Sequence, residues 1–528
     1  MVTAELKYTV PSIFVPSGFL PKFSATLELN REMPAYSSRE RLAVLITVTL
    51  VTTIYAMTIT IANVALPRIQ GALSATTDEI ALVVTFNIIA TAVATPMSGW
   101  LAAQFSRRSI LLGGLVLFSI ATFLCGTAES LTSLVVFRVL QGAFSAPLAP
   151  ICQSLLYSVY PRSQYGFAMA VFGTGVVLGP VMAPTIGGYL TEYLSWRWVF
   201  FMILPLAAVA FVAVSVFIRD LGQRQGTPLD WTGFLSLAVA IASFQYMLDR
   251  GERNDWFESG QIIVLAGIGA ISFYIFIAHT MTSDRPFLNP KLLQDRNFAL
   301  GLVIALTFGM LNLTPMSLLP ILLQNLRGYP DSIIGLLLGA RGVGTFIGFL
   351  FMIKGNQIDP RYTLTAGFLC QAVSGWYMAQ FSLDLTTFDV MWTSCLQGFG
   401  VGMIWVPLTV VTFTTLDDKY TAEGTGIFHL IRNFGSSLFI SISIAVVLRT
   451  SRMNYSSMVE NVTPINPAIP FQDSFYGVWS ITDTGALAAL SGEIGRQSAM
   501  IGYSNAFYLF SLAAFAACPL VFLAKLKR

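Results

Sequence analysis

GFAMAVFGTGVVLGPVMAPTIGGYL, residues 166–190, carries no charge and is long enough to cross a bilayer. In water its Gly166, Gly173, Gly175, Gly179, Gly187 and Gly188, with Pro180 and Pro184, would oppose a helix. A helical Gly costs about 1 kcal/mol and a Pro about 3 relative to Ala. In a bilayer the backbone must satisfy itself, so the helix persists and its glycines become a smooth face. Gly175, Gly179 and Gly187 lie at multiples of four, near one face, where a second helix can approach closely. The prolines bend the rod and free carbonyls that neighbouring helices must satisfy. Two readings follow: a small-residue packing face of any polytopic protein, or a hinge between the helices of an exporter.

The rest of the chain agrees with a membrane setting. Of its 528 residues 55% are apolar and 11% charged, whereas ordinary soluble domains carry about 25% charged residues. Charge-poor spans fall near 42–66, 79–104, 109–128, 131–156, 166–191, 198–218, 231–249, 261–280, 298–323, 332–353, 362–381, 389–415, 426–449 and 499–524. The expectation is an all-α polytopic membrane protein of about fourteen transmembrane helices. Ser/Thr caps mark span starts: Thr76 and Glu79 have the spacing of a capping box. With the N-terminus inside, the inside segments hold roughly nineteen Lys and Arg and the outside segments roughly eight. Both termini are therefore expected in the cytoplasm, and the net charge of +3 reflects topology, not nucleic-acid binding. Residues 1–41, with Pro11, Pro16, Pro21 and Pro34, read as a cytoplasmic leader without a cleavable signal.

Other chemistries find little support. Cys125, Cys152, Cys370, Cys395 and Cys518 are scattered singly, and His279 and His429 are far apart, so no metal site is expected. A phosphate-cradling glycine loop is missing, which argues against an ATP-driven pump. No nucleophile–base constellation favours an enzyme, and no cofactor is expected.

The run GVVLGPVMAPTIGG at 175–188, followed by SWRWVFF from Ser195, resembles the antiporter motif on the fifth helix of the major facilitator superfamily. Within it the chain is similar to the fourteen-helix drug:proton antiporters of the EmrB/QacA type, and among these to EmrB-like permease subunits. Gly175, Gly179, Pro180, Pro184, Gly187 and Gly188 carry that motif. The resemblance implies two six-helix halves plus two extra central helices. Residues 42–218 are then the first half, 219–297 the inserted pair with its flanks, and 298–528 the second half, including an outside loop at 450–498. An internal repeat supports this. Leu66-Pro67 recurs as Leu319-Pro320, and Leu140-Gln141-Gly142 as Leu396-Gln397-Gly398, at one offset of about 253 to 256 residues.

Further motifs assign roles by resemblance. Asn63 and Pro67 match the first-helix motif, but its acidic position, associated in the family with proton coupling, falls on Thr58. Gly99, Leu101, Arg107 and Arg108 match the loop motif that latches the cytoplasmic side, with Asp359 and Arg361 as the second-half counterpart. Ala103 and Ser106 stand where many members have Asp and Gly, which points to a weaker latch. Arg138, Gln141 and Gly142 match the fourth-helix motif, whose arginine handles proton or substrate. Arg341 and Arg432 are also at membrane depth. His429, one turn before Arg432, is either a hydrogen-bonded core histidine or a proton carrier; the family usually has Asn there.

The acidic residues Glu192, Asp249, Asp331, Asp389 and Glu423 all fall at span ends or in turns. Three buried arginines without a carboxylate at their depth attract anions and repel cations. The expectation is an exporter of an anionic or neutral amphipathic small molecule, working by alternating access in the cytoplasmic (inner) membrane. Protons are the expected coupling ion. The alternatives are an exporter of an endogenous metabolite or siderophore, and an uncoupled or anion-exchanging facilitator, because Thr58 replaces the acid. The resemblance also implies an EmrA-like periplasmic adaptor and an outer-membrane channel as partners.

Overall fold

A computed structural model of the chain describes residues 36–220, 226, 228–354, 358–463 and 484–523. The expected leader lies almost wholly outside the described residues. So do part of the expected outside loop and the basic tail.

All described elements are helical. The N-terminal bundle comprises α1 (Ser38–Ala72), α2 (Thr77–Ala94), α3 (Met97–Gln104), α4 (Arg107–Thr127), α5 (Leu131–Ser145), α6 (Leu148–Val159), α7 (Tyr165–Tyr193), α8 (Trp198–Phe201) and α9 (Ile203–Phe217). An extra pair follows, α10 (Trp231–Arg250) and α11 (Gly260–Thr282). The C-terminal bundle is α12 (Arg296–Arg327), α13 (Asp331–Lys354), α14 (Pro360–Met378), α15 (Thr387–Phe413), α16 (Thr421–Glu460) and α17 (Thr484–Val521).

Among the described residues twelve helices are long and apolar enough to cross a membrane, and α2 with α3, bent by 51°, makes a thirteenth span. α14 occupies the place of the eleventh expected span; it is 19 residues long but too polar to qualify by composition alone. Side-chain caps define the starts. The Thr76 hydroxyl accepts the Glu79 N–H while the Glu79 carboxylate accepts the Thr76 N–H, as the spacing predicts.

One expectation needs correction. Of the outside loop placed at 450–498, the described residues are mostly helix: α16 continues to Glu460 and α17 begins at Thr484. Polar helix projecting into water lacks the apolar run that marks a span, so its sequence reads as a loop. Arg496 donates to the Leu326 carbonyl at the end of α12, which sets the level of the bundle there. The part of α17 before it therefore projects about 18 Å beyond, at 1.5 Å per residue. Tyr455 and Ser491 join the two projecting ends at 2.8 Å.

Successive spans alternate in direction, so both described chain ends lie on one face of the bundle. Arg219, after α9, pairs with Glu40 at the start of α1, and Arg296, at the start of α12, reaches the Leu523 carbonyl. This is the termini face.

The glycine-rich α7 lies against α1. A Cβ on Gly175 would sit 2.7 Å from the Thr49 carbonyl oxygen, and one on Gly179 would sit 2.7 Å from that of Thr53. Gly187 faces Ile61 of the same helix at 3.3 Å, and Gly188 is half-buried. Pro184 has no N–H for the Pro180 carbonyl one turn back, and Thr60 of α1 donates to that oxygen at 3.4 Å. The side chain of Pro184 itself lies outside the described residues. α7 faces the other bundle too: Gly173 abuts Phe349 of α13 and Trp405 of α15, and Val181 abuts Gly342 of α13.

The extra pair stands beside the seam. α10 meets α2 through the Thr85 hydroxyl, which donates to Asp249, and through Phe86 against Tyr246, with ring centroids 6.2 Å apart. It meets α16 through Gln245, which donates to Ser437 at 2.6 Å, and through the Ser441 hydroxyl on the Leu248 carbonyl.

Candidate functional site

Two of the three membrane-depth arginines are enclosed within their own bundles. Arg138 on α5 is fully buried. It donates to the Gln141 side chain at 2.6 Å, to the Val83 carbonyl of α2 at 3.3 Å and to the Thr58 carbonyl of α1 at 3.5 Å. Gln141 donates onward to Thr122 at 2.8 Å. The Thr58 hydroxyl turns back to the Tyr55 carbonyl, so it is the backbone at this position, and not the side chain, that receives the guanidinium. Asn63 lies on the same helix, and its side chain is outside the described residues.

Arg341 on α13 is held alike: it donates to Gln397 of α15 at 2.6 Å, and to the Asn312 carbonyl and side chain of α12 at 2.7 and 2.6 Å. Gln397 is the repeat counterpart of Gln141. In each bundle a glutamine of the fourth helix and a carbonyl of the first receive one arginine. In the first bundle that arginine comes from the fourth helix, in the second from the facing one. Of the three arginines expected at membrane depth, only one is therefore left between the bundles. A guanidinium in hydrocarbon is stabilised by carbonyl and amide oxygens close at hand, and both of these find them inside their own half.

Arg432 differs. It lies on α16 at the seam, over the Trp405 ring at 5.3 Å, with Asn433 accepting from it at 2.9 Å. Tyr55 of α1, in the opposite bundle, faces Arg432 and Asn433. Trp405, Tyr55 and Asn433 did not stand out in the sequence, because none is charged and their meeting depends on how the two bundles face each other.

Nearer the termini face the bundles are sealed together. His429 meets Gln153 of α6 at 2.7 Å. Gln153 donates to the Tyr157 hydroxyl at 3.2 Å, and that hydroxyl donates to the Thr409 carbonyl of α15 at 3.3 Å. The rings of Tyr157 and Phe413 stand 4.9 Å apart. Thr425 donates to the Pro150 carbonyl at 3.1 Å. Gly99 of the expected gate motif touches the other bundle: a Cβ there would lie 2.9 Å from the Glu423 backbone. The Glu423 carboxylate accepts the Asn289 N–H of the segment after α11.

Other gate residues also bond within their own bundles. Arg107 donates to Ser158 at 2.8 Å, Arg108 donates to the Ser215 carbonyl at 2.7 Å, and the Asp359 side chain caps the Arg361 N–H at 3.0 Å. No group of three or more His, Cys, Asp or Glu placed to hold a metal occurs among the described residues.

The family model of the Major Facilitator Superfamily matches residues 48–440. The chain belongs to the major facilitator superfamily. It is 31% identical over 477 residues to the multidrug export protein EmrB of Haemophilus influenzae, covering 88% of this chain and 92% of the relative. It is 32% identical over 471 residues to the fatty acid resistance protein FarB of Neisseria gonorrhoeae, again covering 88% and 92%. Among solved structures it resembles the proton:xylose symporter XylE, with a TM-score of 0.61 at 11% identity, over 92% of this chain and 96% of that one. The superfamily member is thus a multi-pass membrane protein of the EmrB-like efflux permeases, a transporter and not an enzyme.

Proposed function

We propose that the chain exports amphipathic small molecules by alternating access, as an antiporter exchanging substrate for protons, with anionic or neutral substrates favoured. The observation that carries the substrate preference is Arg432: a cation at the seam between bundles, stacked on an indole, with no carboxylate bonded to it among the described residues. Such a site pairs a charge with an aromatic wall, as an amphipathic anion requires. The relative named for fatty acid resistance fits this reading.

Basic residues crowd the termini face, among them Arg39, Arg41, Arg107, Arg108, Arg162, Arg219, Arg285, Lys291, Arg296 and Lys419, which supports cytoplasmic termini in the inner membrane. The bundle contacts then describe a carrier shut on its cytoplasmic side. The packing of the described helices into two bundles with a pair beside them supports a domain division at 42–218, 219–297 and 298–528. An EmrA-like adaptor, leading to an outer-membrane channel, fits the projecting ends of α16 and α17, where Met453, Val459 and Leu487 are exposed.

Counterflow in proteoliposomes is the test, with anionic, neutral and cationic amphipaths competing and with or without a pH gradient. Anionic and neutral compounds are expected to compete, and an imposed gradient to drive accumulation. Competition by cationic dyes alone would remove the preference. Indifference to the gradient would favour the uncoupled or anion-exchanging facilitator.

A further inference from the structure

The chain of side chains closing the termini face has a fixed direction. The Thr409 carbonyl can only accept, so the Tyr157 hydroxyl donates to it. That hydroxyl then accepts from the Gln153 amide nitrogen, which leaves the Gln153 oxygen to accept from His429 Nε2. The histidine proton therefore sits on Nε2, and Nδ1 presents a bare lone pair. Nδ1 is buried, with no hydrogen-bond partner among the described residues.

The surroundings of that ring decide what a second proton would meet. On its own helix Phe428 stands 5.7 Å away, centroid to centroid, and Arg432 follows one turn on. α15 contributes Trp405 at 6.3 Å and the Thr409 carbonyl. α6 contributes Gln153 and Tyr157, while its Cys152 is turned to Thr52 of α1, and α3 contributes Ser98 against Gly426. Glu423, two turns earlier on α16, is engaged with Asn289 and Gly99. No carboxylate faces the imidazole among these elements.

We propose that His429, Gln153, Tyr157 and Thr409 form a proton-released clasp between the two bundles. The clasp is shut while His429 is neutral and lets go when Nδ1 takes a proton. An imidazolium in the shut state would hold an N–H without an acceptor, beside a second fixed cation. Parting of the bundles brings water to that N–H. The open form therefore binds the proton more tightly than the shut form, so acid shifts the population toward opening at the termini face. This rests on the antiporter reading for its meaning: with the termini in the cytoplasm, a proton that opens this face returns the carrier to collect cargo. That is the sign required for protons in and substrate out.

The test is a distance measurement between spin labels at Gln164→Cys and Lys419→Cys, exposed positions on opposite bundles at this face. It uses the full chain in lipid nanodiscs with its five native cysteines replaced by serine. Between mildly alkaline and mildly acid buffer the distance is expected to lengthen with His429 present. With His429→Asn the acid shift is lost. With Gln153→Leu, which leaves the histidine intact, the long distance appears in both buffers. Lengthening by acid that survives His429→Asn overturns the proposal, as does a distance indifferent to pH with His429 in place. A missing counterflow signal from the unsubstituted chain strikes the transporter reading instead, because the distances do not depend on any substrate.

Discussion

Arg138 shows how a guanidinium can be sealed in hydrocarbon without a carboxylate. Its acceptors come from α1, α2 and its own helix, so the charge ties three helices together. Arg138→Gln leaves buried carbonyl and amide oxygens without their donor and is expected to destabilise the protein by about 1–3 kcal/mol, the usual cost of an unsatisfied buried polar group. A lowered melting temperature in detergent would show it. Arg138→Lys should not rescue, since one ammonium cannot reach acceptors spread on three sides as a planar fork does. Arg432 is expected to behave oppositely. Arg432→Gln should leave the melting temperature nearly unchanged and weaken binding of an anionic amphipath by about tenfold, or 1.4 kcal/mol, as read by equilibrium binding. The sequence made all three arginines legible as buried, because a charge in an apolar run announces itself. It could not say which of them faced the seam, since the partners that decide this are carbonyls and amides of distant spans. The clasp was hidden for the same reason: His429 and Gln153 stand 276 residues apart, and only one member of the chain invites attention from composition.

At the level of elements, α7 and α1 bear out the smooth-face reading. The two backbones approach so closely at Gly175 and Gly179 that a methyl group would press on carbonyl oxygens at 2.7 Å. Gly179→Val is therefore expected to separate the helices and abolish folded protein, measured as the monodisperse fraction on size exclusion. Gly187→Ala, which meets a side-chain carbon at 3.3 Å, should be tolerated within about 1 kcal/mol. Ranking the two in the opposite order would contradict this packing. The spacing of glycines was legible because helical periodicity alone puts them on one face. That α1 is the partner was not, and neither was Thr60, which answers the carbonyl freed by Pro184. The projecting ends of α16 and α17 were misread because span recognition measures apolarity, and a helix in water has no need of it.

Across the whole molecule the two bundles meet from mid-depth down to the termini face. Gly99→Val, whose side chain would press on the Glu423 backbone from 2.9 Å, is expected to keep that face from closing. Counterflow should fall sharply, and full transport by the variant would show that this contact need not form. The fold class and the order of spans were legible from the lengths of apolar runs and a repeat about half the chain away. The state of the carrier was not, because closure is written in contacts between bundles and either state satisfies the same hydrophobic pattern.

The hairpin of α10 and α11 carries a consequence for that motion. α10 grips α2 through Asp249 and α16 through Gln245 and the Leu248 carbonyl, so it splints two rods that the proposed rocking drives apart. No splint fastened to both can stay so for a full stroke. α10 packs more extensively against α2 than against α16, and should therefore ride with α2. The flank of α16 that carries Ser437 and Ser441 is then stripped bare to lipid once in every turnover.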